Sequence, residues 1–254
     1  MQHHRRIAIA IGMTLAVSAH AADWGGLLKG ALGKPGGSAA SAPAATGVDA
    51  LNPAEVGAGL KEALIRGAEA AVAKLGKPDG FFGNPALRIP LPENLKKAEK
   101  AMRMFGMGQE ADQLTLAMNR AAEAAVPEAR TLLVDAVKDM SVEDAKGVLT
   151  GGDTAATDFF RKKTEQKLRE RFAPIVKATT DQVGLAQQYN TFAGLAARFG
   201  AIDKRQATIE QYVTQKSLDR LYKVIGEEER AIRANPVAAG SDLIRKVFGA
   251  VMGR

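Results

Sequence analysis

The chain has 254 residues, a formal net charge of +7 and no cysteine. The missing cysteine excludes disulfides, thiolate nucleophiles and cysteine-ligated zinc sites. A charge excess of this size over so long a chain is compatible with an anionic partner but does not require one, and we expect no nucleic-acid binding. Only 5% of the residues are aromatic, and a composition rich in Ala, Leu, Lys, Glu and Arg favours helices over a β-sandwich.

The first 21 residues have the three parts of a secretory signal peptide. Arg5 and Arg6 precede an uncharged run at residues 7–17, and the small-residue sequence Ala19-His20-Ala21 follows. The run is much shorter than the ~20 residues that a membrane-spanning helix needs. We therefore expect cleavage after Ala21, export to the periplasm and no membrane span. Because no cysteine follows the signal, the protein should not be a lipoprotein.

All three histidines lie within this signal segment. After cleavage, catalysis by imidazole would be excluded, and an enzyme would depend on Asp, Glu, Lys, Arg, Tyr, Ser or Thr. We therefore predict no catalytic residues, no metal and no cofactor, and we favour a non-enzymatic role over an enzymatic one.

Residues 22–47 are dominated by Gly, Ala, Ser and Pro. Such a segment cannot bury a core, so we predict a flexible tether there. Residues 48–254 then form the folded domain.

From Asn52 onward, apolar residues recur at the three- and four-residue spacing of amphipathic helices. Asn52 and Pro53 form a start signal, and Gly76 ends the first predicted helix. We predict an all-α, multi-helix bundle of about eight or nine helices in a single domain. The later helices are predicted at about residues 95–105, 111–125, 127–140, 141–150, 153–183, 185–199, 208–234 and 241–251.

The segment at residues 77–92 is the least helical part of the domain. It contains four prolines and the adjacent phenylalanines Phe81 and Phe82. A long Pro/Gly-rich crossover of this kind is often functional. Two interpretations stay open: the rings plug the bundle, or they form a recognition lid together with Asn84.

A polar cluster, Asn119, Arg120 and Glu123, lies within one predicted helical turn beside an apolar stripe. These side chains could form a buried polar network or line a ligand pocket.

Two further positions lie at the start of the sixth predicted helix. Asp153 follows two glycines, so it could cap that helix, although free backbone amides there could also hold an anion. Arg161 is a candidate ligand- or partner-binding residue, although it is also placed to form a surface ion pair with Asp158. The acidic run at residues 227–229 is interpreted as a solvated face in which Glu229 pairs with Arg233, and its geometry is poor for a metal.

Several motifs in one order resemble a bacterial exported family, domain of unknown function 4197. They include GLKEAL at residues 59–64, LGKPDGFFGNP at 75–85, IPLP at 89–92, MNRAAE at 118–123, GGDTAAT at 151–157, YVT at 212–214 and EEE at 227–229. The resemblance covers nearly all of the chain after the tether. It implies an exported helical protein, and it supplies no catalytic residue, cofactor or substrate.

Two functions remain in competition. The first is a non-enzymatic periplasmic protein that binds an unknown protein or envelope component through residues 77–92. The alternative is a small-molecule or lipid-binding bundle, with a hydrolase as one form of it, that uses Asn119, Arg120, Glu123 and Asp153. The oligomeric state is left open.

Overall fold

The computed structural model describes residues 52–106, 108–198, 208–239 and 241–251. The predicted signal peptide and tether lie outside these ranges. Within them the chain is helical and contains no strand, which confirms the all-α prediction. The helices are α1 (Pro53–Leu75), α2 (Glu93–Met104), α3 (Gly108–Ala125), α4 (Ala129–Lys138), α5 (Val142–Thr150), α6 (Ala155–Thr180), α7 (Gly184–Arg198), α8 (Ile209–Ala234) and α9 (Asp242–Val251).

Most helix ends fall where local sequence signals predict them. The Asn52 side chain accepts the amide of Ala54, and the amide of Gly76 closes α1 by donating to the Val72 carbonyl. Ser141 forms a reciprocal capping box with Asp144 at the start of α5. These caps satisfy backbone groups that have no partner inside the helix.

The core is built mainly by α1, α3, α6 and α8, which share the most extensive contacts. Leu60, Leu114, Phe160, Phe172 and Tyr222 are among the largest side chains that are fully buried there. Their burial removes large apolar areas from water, which is the main driving force for the fold.

The last helix, α9, packs on α1 at Gly59. A methyl group at Gly59 would lie only 2.7 Å from the Val247 Cγ2 atom, so glycine permits this close approach. In the described ranges, none of the helices has both the length and the apolar character to cross a membrane.

Candidate functional site

Glu123, on α3, holds the start of the 77–92 crossover. Its Oε1 atom accepts the backbone amides of Phe81 and Phe82, both at 3.0 Å. Its Oε2 atom accepts Arg120 at 2.6 Å, and Arg120 also donates to Asp79 at 2.8 Å. The pKa of Arg120 is raised, first by the Glu123 hydrogen bond and then by Asp79. The carboxylate therefore fastens the loop through two backbone amides, and Arg120 adds an ion pair from α3 to the loop residue Asp79.

Asn119, one turn earlier, holds the end of the crossover. Its Oδ1 atom accepts the Ile89 amide at 2.8 Å, while its Nδ2 atom donates to the Ile89 carbonyl at 2.9 Å. The Tyr212 hydroxyl of α8 donates to the next carbonyl, Pro90, at 3.1 Å. Asn119 is fully buried, so it replaces the water that would otherwise solvate this backbone. The buried-network interpretation of Asn119, Arg120 and Glu123 is the one that the geometry supports.

The two phenylalanines of the loop have different surroundings. Phe81 is 0% exposed and belongs to the core, so the plug interpretation applies to it. Phe82 is half-buried. The Arg88 guanidinium lies 4.6 Å from its ring centroid and that of Arg120 lies 5.8 Å away. Phe81 could contact a partner only by leaving the core, whereas Phe82 can do so from its present position.

Arg88 is a loop residue that the sequence reasoning missed. Its Nε atom donates to the Phe82 carbonyl at 2.7 Å, and its side chain is exposed. It has no ion-pair partner in the described part of the chain. The signal that could have found it is simple: between Gly80 and Pro92 it is the sole charged residue.

Asn84, also predicted as a contact residue, shapes the loop locally. Its Oδ1 atom accepts the Ala86 amide at 3.0 Å, two residues on. This is the side-chain turn that Asn commonly forms. The Asn84 side chain is half-buried and lies two residues after Phe82 in the sequence. Its bond to the Ala86 amide already gives it a structural role.

The prediction that Asp153 caps the sixth helix is wrong. Asp153 is exposed, and the residue at the cap position, Thr154, makes no side-chain capping bond. The amides of Ala156 and Thr157 instead donate to Glu229 of α8, each at 3.0 Å. A carboxylate from a distant helix therefore does the capping.

The interpretation of Glu229 as part of a solvated face is also wrong, although its predicted pairing with Arg233 is confirmed. The Glu229 side chain is 5% exposed and lies 2.9 Å from Arg233. It also accepts the Thr157 hydroxyl at 2.8 Å. Arg233 donates further to the Val148 carbonyl at 2.8 Å. A largely buried ion pair thus lies between α5, α6 and α8, and both oxygens of its carboxylate accept hydrogen bonds.

Arg161 has a different partner from the predicted one. Its guanidinium lies 4.5 Å from the Tyr222 ring centroid, and its nearest carboxylate is Glu165 at 3.7 Å. Asp158 instead accepts the Thr154 hydroxyl at 3.2 Å. Arg161 therefore covers an aromatic ring of the α6–α8 interface, far in sequence from the loop.

A small cavity lies beside the buried ion pair. Glu229 and Arg233 form its polar end, and Leu64, Phe160, Ile225 and Phe248 are among its apolar walls. Its volume of about 20 Å³ is enough for roughly one water molecule. It does not reach the Asn119 cluster, so it lends no support to a ligand pocket there. In the same described ranges, no three acidic or other ligating side chains are grouped so that they could hold a metal ion.

These features define an all-helical domain in which buried carboxylates fasten a proline-rich crossover and a helix end. The chain belongs to the family described as Protein of unknown function (DUF4197), whose model matches residues 50–249. The resemblance inferred from the motifs is thereby confirmed. No curated protein and no solved structure gives a significant match.

Proposed function

We propose that this protein is an exported, non-enzymatic binding protein whose partner, a protein or another envelope component, contacts the loop face. The loop face is the surface formed by Phe82, Arg88 and Arg120. The single observation that carries the proposal is the half-buried Phe82 ring lying within 4.6 and 5.8 Å of two guanidinium groups. Aromatic and arginine side chains are the types most enriched at protein interfaces.

The hydrogen bonds that hold the loop backbone support this role. Glu123, Asn119 and Tyr212 hold its backbone at three points. Binding to a loop that is already ordered costs less conformational entropy than binding to a flexible loop, which must become ordered in the complex. The crossover is therefore suited to present Phe82 in a fixed position.

The charge of Arg88 indicates what the partner should offer. Arg120 is already paired with two carboxylates, whereas Arg88 has no ion pair in the described ranges. A carboxylate on the partner would complete a charge-assisted bond with it. The expected contact is thus an apolar group against Phe82 and an acidic group beside it.

Export is supported by the sequence of the first 21 residues alone. Intact mass measurement of the protein recovered from the periplasm should give a chain that begins at Ala22. A chain that retains Met1, or one that fractionates with the cytoplasm, would contradict this part of the proposal.

The loop face is tested by comparing two double variants in affinity capture from periplasmic extract. Phe82→Ala with Arg88→Ala should lose the proteins or envelope components that the wild type retains. The matched control, Phe105→Ala with Arg171→Ala, removes an exposed Phe and an exposed Arg elsewhere and should retain them. Both variants should melt within about 4 °C of the wild type, because exposed and half-buried side chains contribute little to stability.

Phe81→Ala shows why the two rings must be tested separately. Truncating this fully buried ring should cost about 3–5 kcal/mol through lost burial and a cavity. Loss of capture by that variant would therefore report unfolding. The proposal fails if the Phe82/Arg88 variant captures the same material as the wild type, or if the control loses it equally.

A further inference from the structure

Arg220, in the middle of α8, is a partly buried cation for which the described residues provide no countercharge. Its Nε atom is buried and makes no hydrogen bond. The guanidinium has no ion-pair partner in the part of the chain that the structure describes. A buried donor left without an acceptor is costly, more so when the group is charged. Such a group in a native protein calls for an explanation, often an ion or a water.

The other partly buried arginines of the described ranges show that this chain normally provides a carboxylate. Each of them lies within 4.0 Å of a glutamate: Arg120 with Glu123, Arg161 and Arg169 with Glu165, and Arg233 with Glu229. Arg220 departs from this pattern. The missing acid is therefore a specific feature of this position.

The nearest acidic residues on α8 are engaged elsewhere. Asp219 accepts the Gln215 amide at 2.9 Å, and Glu227 pairs with Lys223 and Lys74. Neither of them compensates Arg220 directly.

A second cation lies on the same face, one turn before Arg220. The Lys216 ammonium lies 5.6 Å from the Tyr212 ring centroid and has no ion pair in the described ranges. Two like charges four residues apart repel each other on a helix. An anion placed between them would remove that repulsion.

The charge of Arg220 acts near the end of the crossover. Burial raises the pKa of Tyr212 to about 12 and the Glu93 carboxylate adds to the rise, while Arg220 acts in the opposite sense. The guanidinium and Glu93 thus both lie within electrostatic range of the hydroxyl that holds Pro90. Glu93 is exposed at the start of α2. It is the acidic group near Tyr212, whereas Arg220 is the basic one.

We infer that Arg220 and Lys216 form a binding site for a single oxyanion, a carboxylate or a phosphate. The planar guanidinium fork matches two oxygens of either group, and the ammonium adds a point charge. This site lies outside the loop face and does not depend on the function proposed for it.

Thermal melting of the purified protein tests the site, with potassium phosphate in one series and potassium acetate in another. Ionic strength is held constant with potassium chloride so that general screening does not change. The melting temperature should rise saturably with at least one anion, by about 5–10 °C at one hundred times the Kd. A response to phosphate alone or to acetate alone identifies which oxyanion the site takes.

Three variants decide whether Arg220 is responsible. Arg220→Met should abolish the saturable rise and should melt no lower than the wild type in chloride, since it removes an uncompensated charge. Arg220→Lys keeps the charge without the fork and should weaken binding at least tenfold, which provides a second reading if the Met variant folds poorly. Lys223→Met removes a paired cation from the same helix and should leave the rise intact.

The inference is overturned if neither anion gives a saturable rise at constant ionic strength. It is also overturned if Arg220→Met keeps a rise of wild-type size, or if Lys223→Met loses the rise to the same extent. Loop-face capture and anion-dependent melting are separate measurements, so failure of one leaves the other standing.

Discussion

Glu123 and Glu229 perform the same chemical task in two regions of the molecule. Each carboxylate is 5% exposed, accepts two backbone amides from another segment and pairs with an arginine of its own helix. Glu123 fastens the crossover, and Glu229 fastens the first turn of α6. A buried carboxylate is tolerated in both places because its oxygens are fully bonded.

The difference between the two regions lies in the arginine. Arg120 is 38% exposed and has Asp79 as a second acidic partner. Arg233 is 15% exposed, and its further acceptor is the Val148 carbonyl. The group of contacts that Glu123 and Arg120 make with the crossover therefore reaches the surface, where a partner could contact it. The contacts that Glu229 and Arg233 make with α6 are internal. A buried carboxylate paired with an arginine thus holds a surface loop in one region and an internal helix end in the other.

Neutralising the two carboxylates should give the largest effects and should separate the regions. Glu229→Gln leaves Arg233 buried without its countercharge, so we expect a loss of about 3–5 kcal/mol in the free energy of unfolding. Glu123→Gln should cost about 1–3 kcal/mol, because Arg120 keeps Asp79 and contact with water. Urea denaturation at pH 7 measures both losses.

Glu69→Gln is the matched control, since it breaks a surface pair with Arg130 and should change stability by at most about 1 kcal/mol. Amide exchange sharpens the contrast. Glu123→Gln should speed exchange at Phe81 and Phe82, and Glu229→Gln should speed it at the start of α6. Equal losses, or faster exchange at both places in either variant, would remove the distinction.

Sequence reasoning succeeded where the signal is local. Asn52, Gly76 and Ser141 cap helices through bonds to groups within four residues along the chain. The apolar periodicity and these capping residues are therefore enough to predict where the helices lie. Asn119 and Glu123 were recognised as a polar cluster because they share one helical face. Their partners in the loop could not be named, since that pairing depends on how the crossover lies across α3.

Reasoning failed where the partner is distant along the chain. The acceptor for the α6 amides is Glu229, more than seventy residues away. The sequence instead predicts a cap from Asp153, because that carboxylate lies next to the helix start. Three consecutive glutamates in an amphipathic helix gave no sign that one of them turns inward. The sequence does place an acid four residues before Arg233 and none at that spacing from Arg220, but it does not show that the Arg220 Nε atom is buried without a hydrogen bond. These assignments required the packing of α6 against α8.

Two tyrosines extend the same comparison to alkaline pH. Tyr212 binds the crossover at Pro90, and Tyr222 bonds to Thr164 of α6 at 2.9 Å. Burial raises the pKa of each from 10.0 to about 12. The unfolded chain therefore loses these protons first, so the stabilisation is fully present below pH 10 and is lost as pH rises through 12.

Tyr212→Phe and Tyr222→Phe should each reduce the stability lost between pH 10 and pH 12 by roughly 2–3 kcal/mol. At pH 7 each should cost only about 1 kcal/mol, the usual contribution of one hydrogen bond. Urea denaturation from pH 7 to pH 12 measures this slope against that of the wild type, which cancels the contribution of the lysines. A variant whose stability falls in parallel with the wild type would show that its ring does not carry the raised pKa.

The smallest expected effects decide which residue caps α6. Thr157→Val removes the hydroxyl that donates to Glu229 but keeps the backbone amide bond, so it should cost about 0.5–1.5 kcal/mol. Asp153→Ala should change stability by less than about 0.5 kcal/mol, whereas loss of a genuine N-cap costs about 1 kcal/mol. Urea denaturation of both variants, and of each combined with Glu229→Gln, measures the coupling. The Thr157 effect should shrink once Glu229 is neutral, because the two groups act on one another. A full Thr157 effect in the Glu229→Gln background, with a cost of 1 kcal/mol or more at Asp153, would return the cap to the local residue and leave the buried carboxylate without its main role.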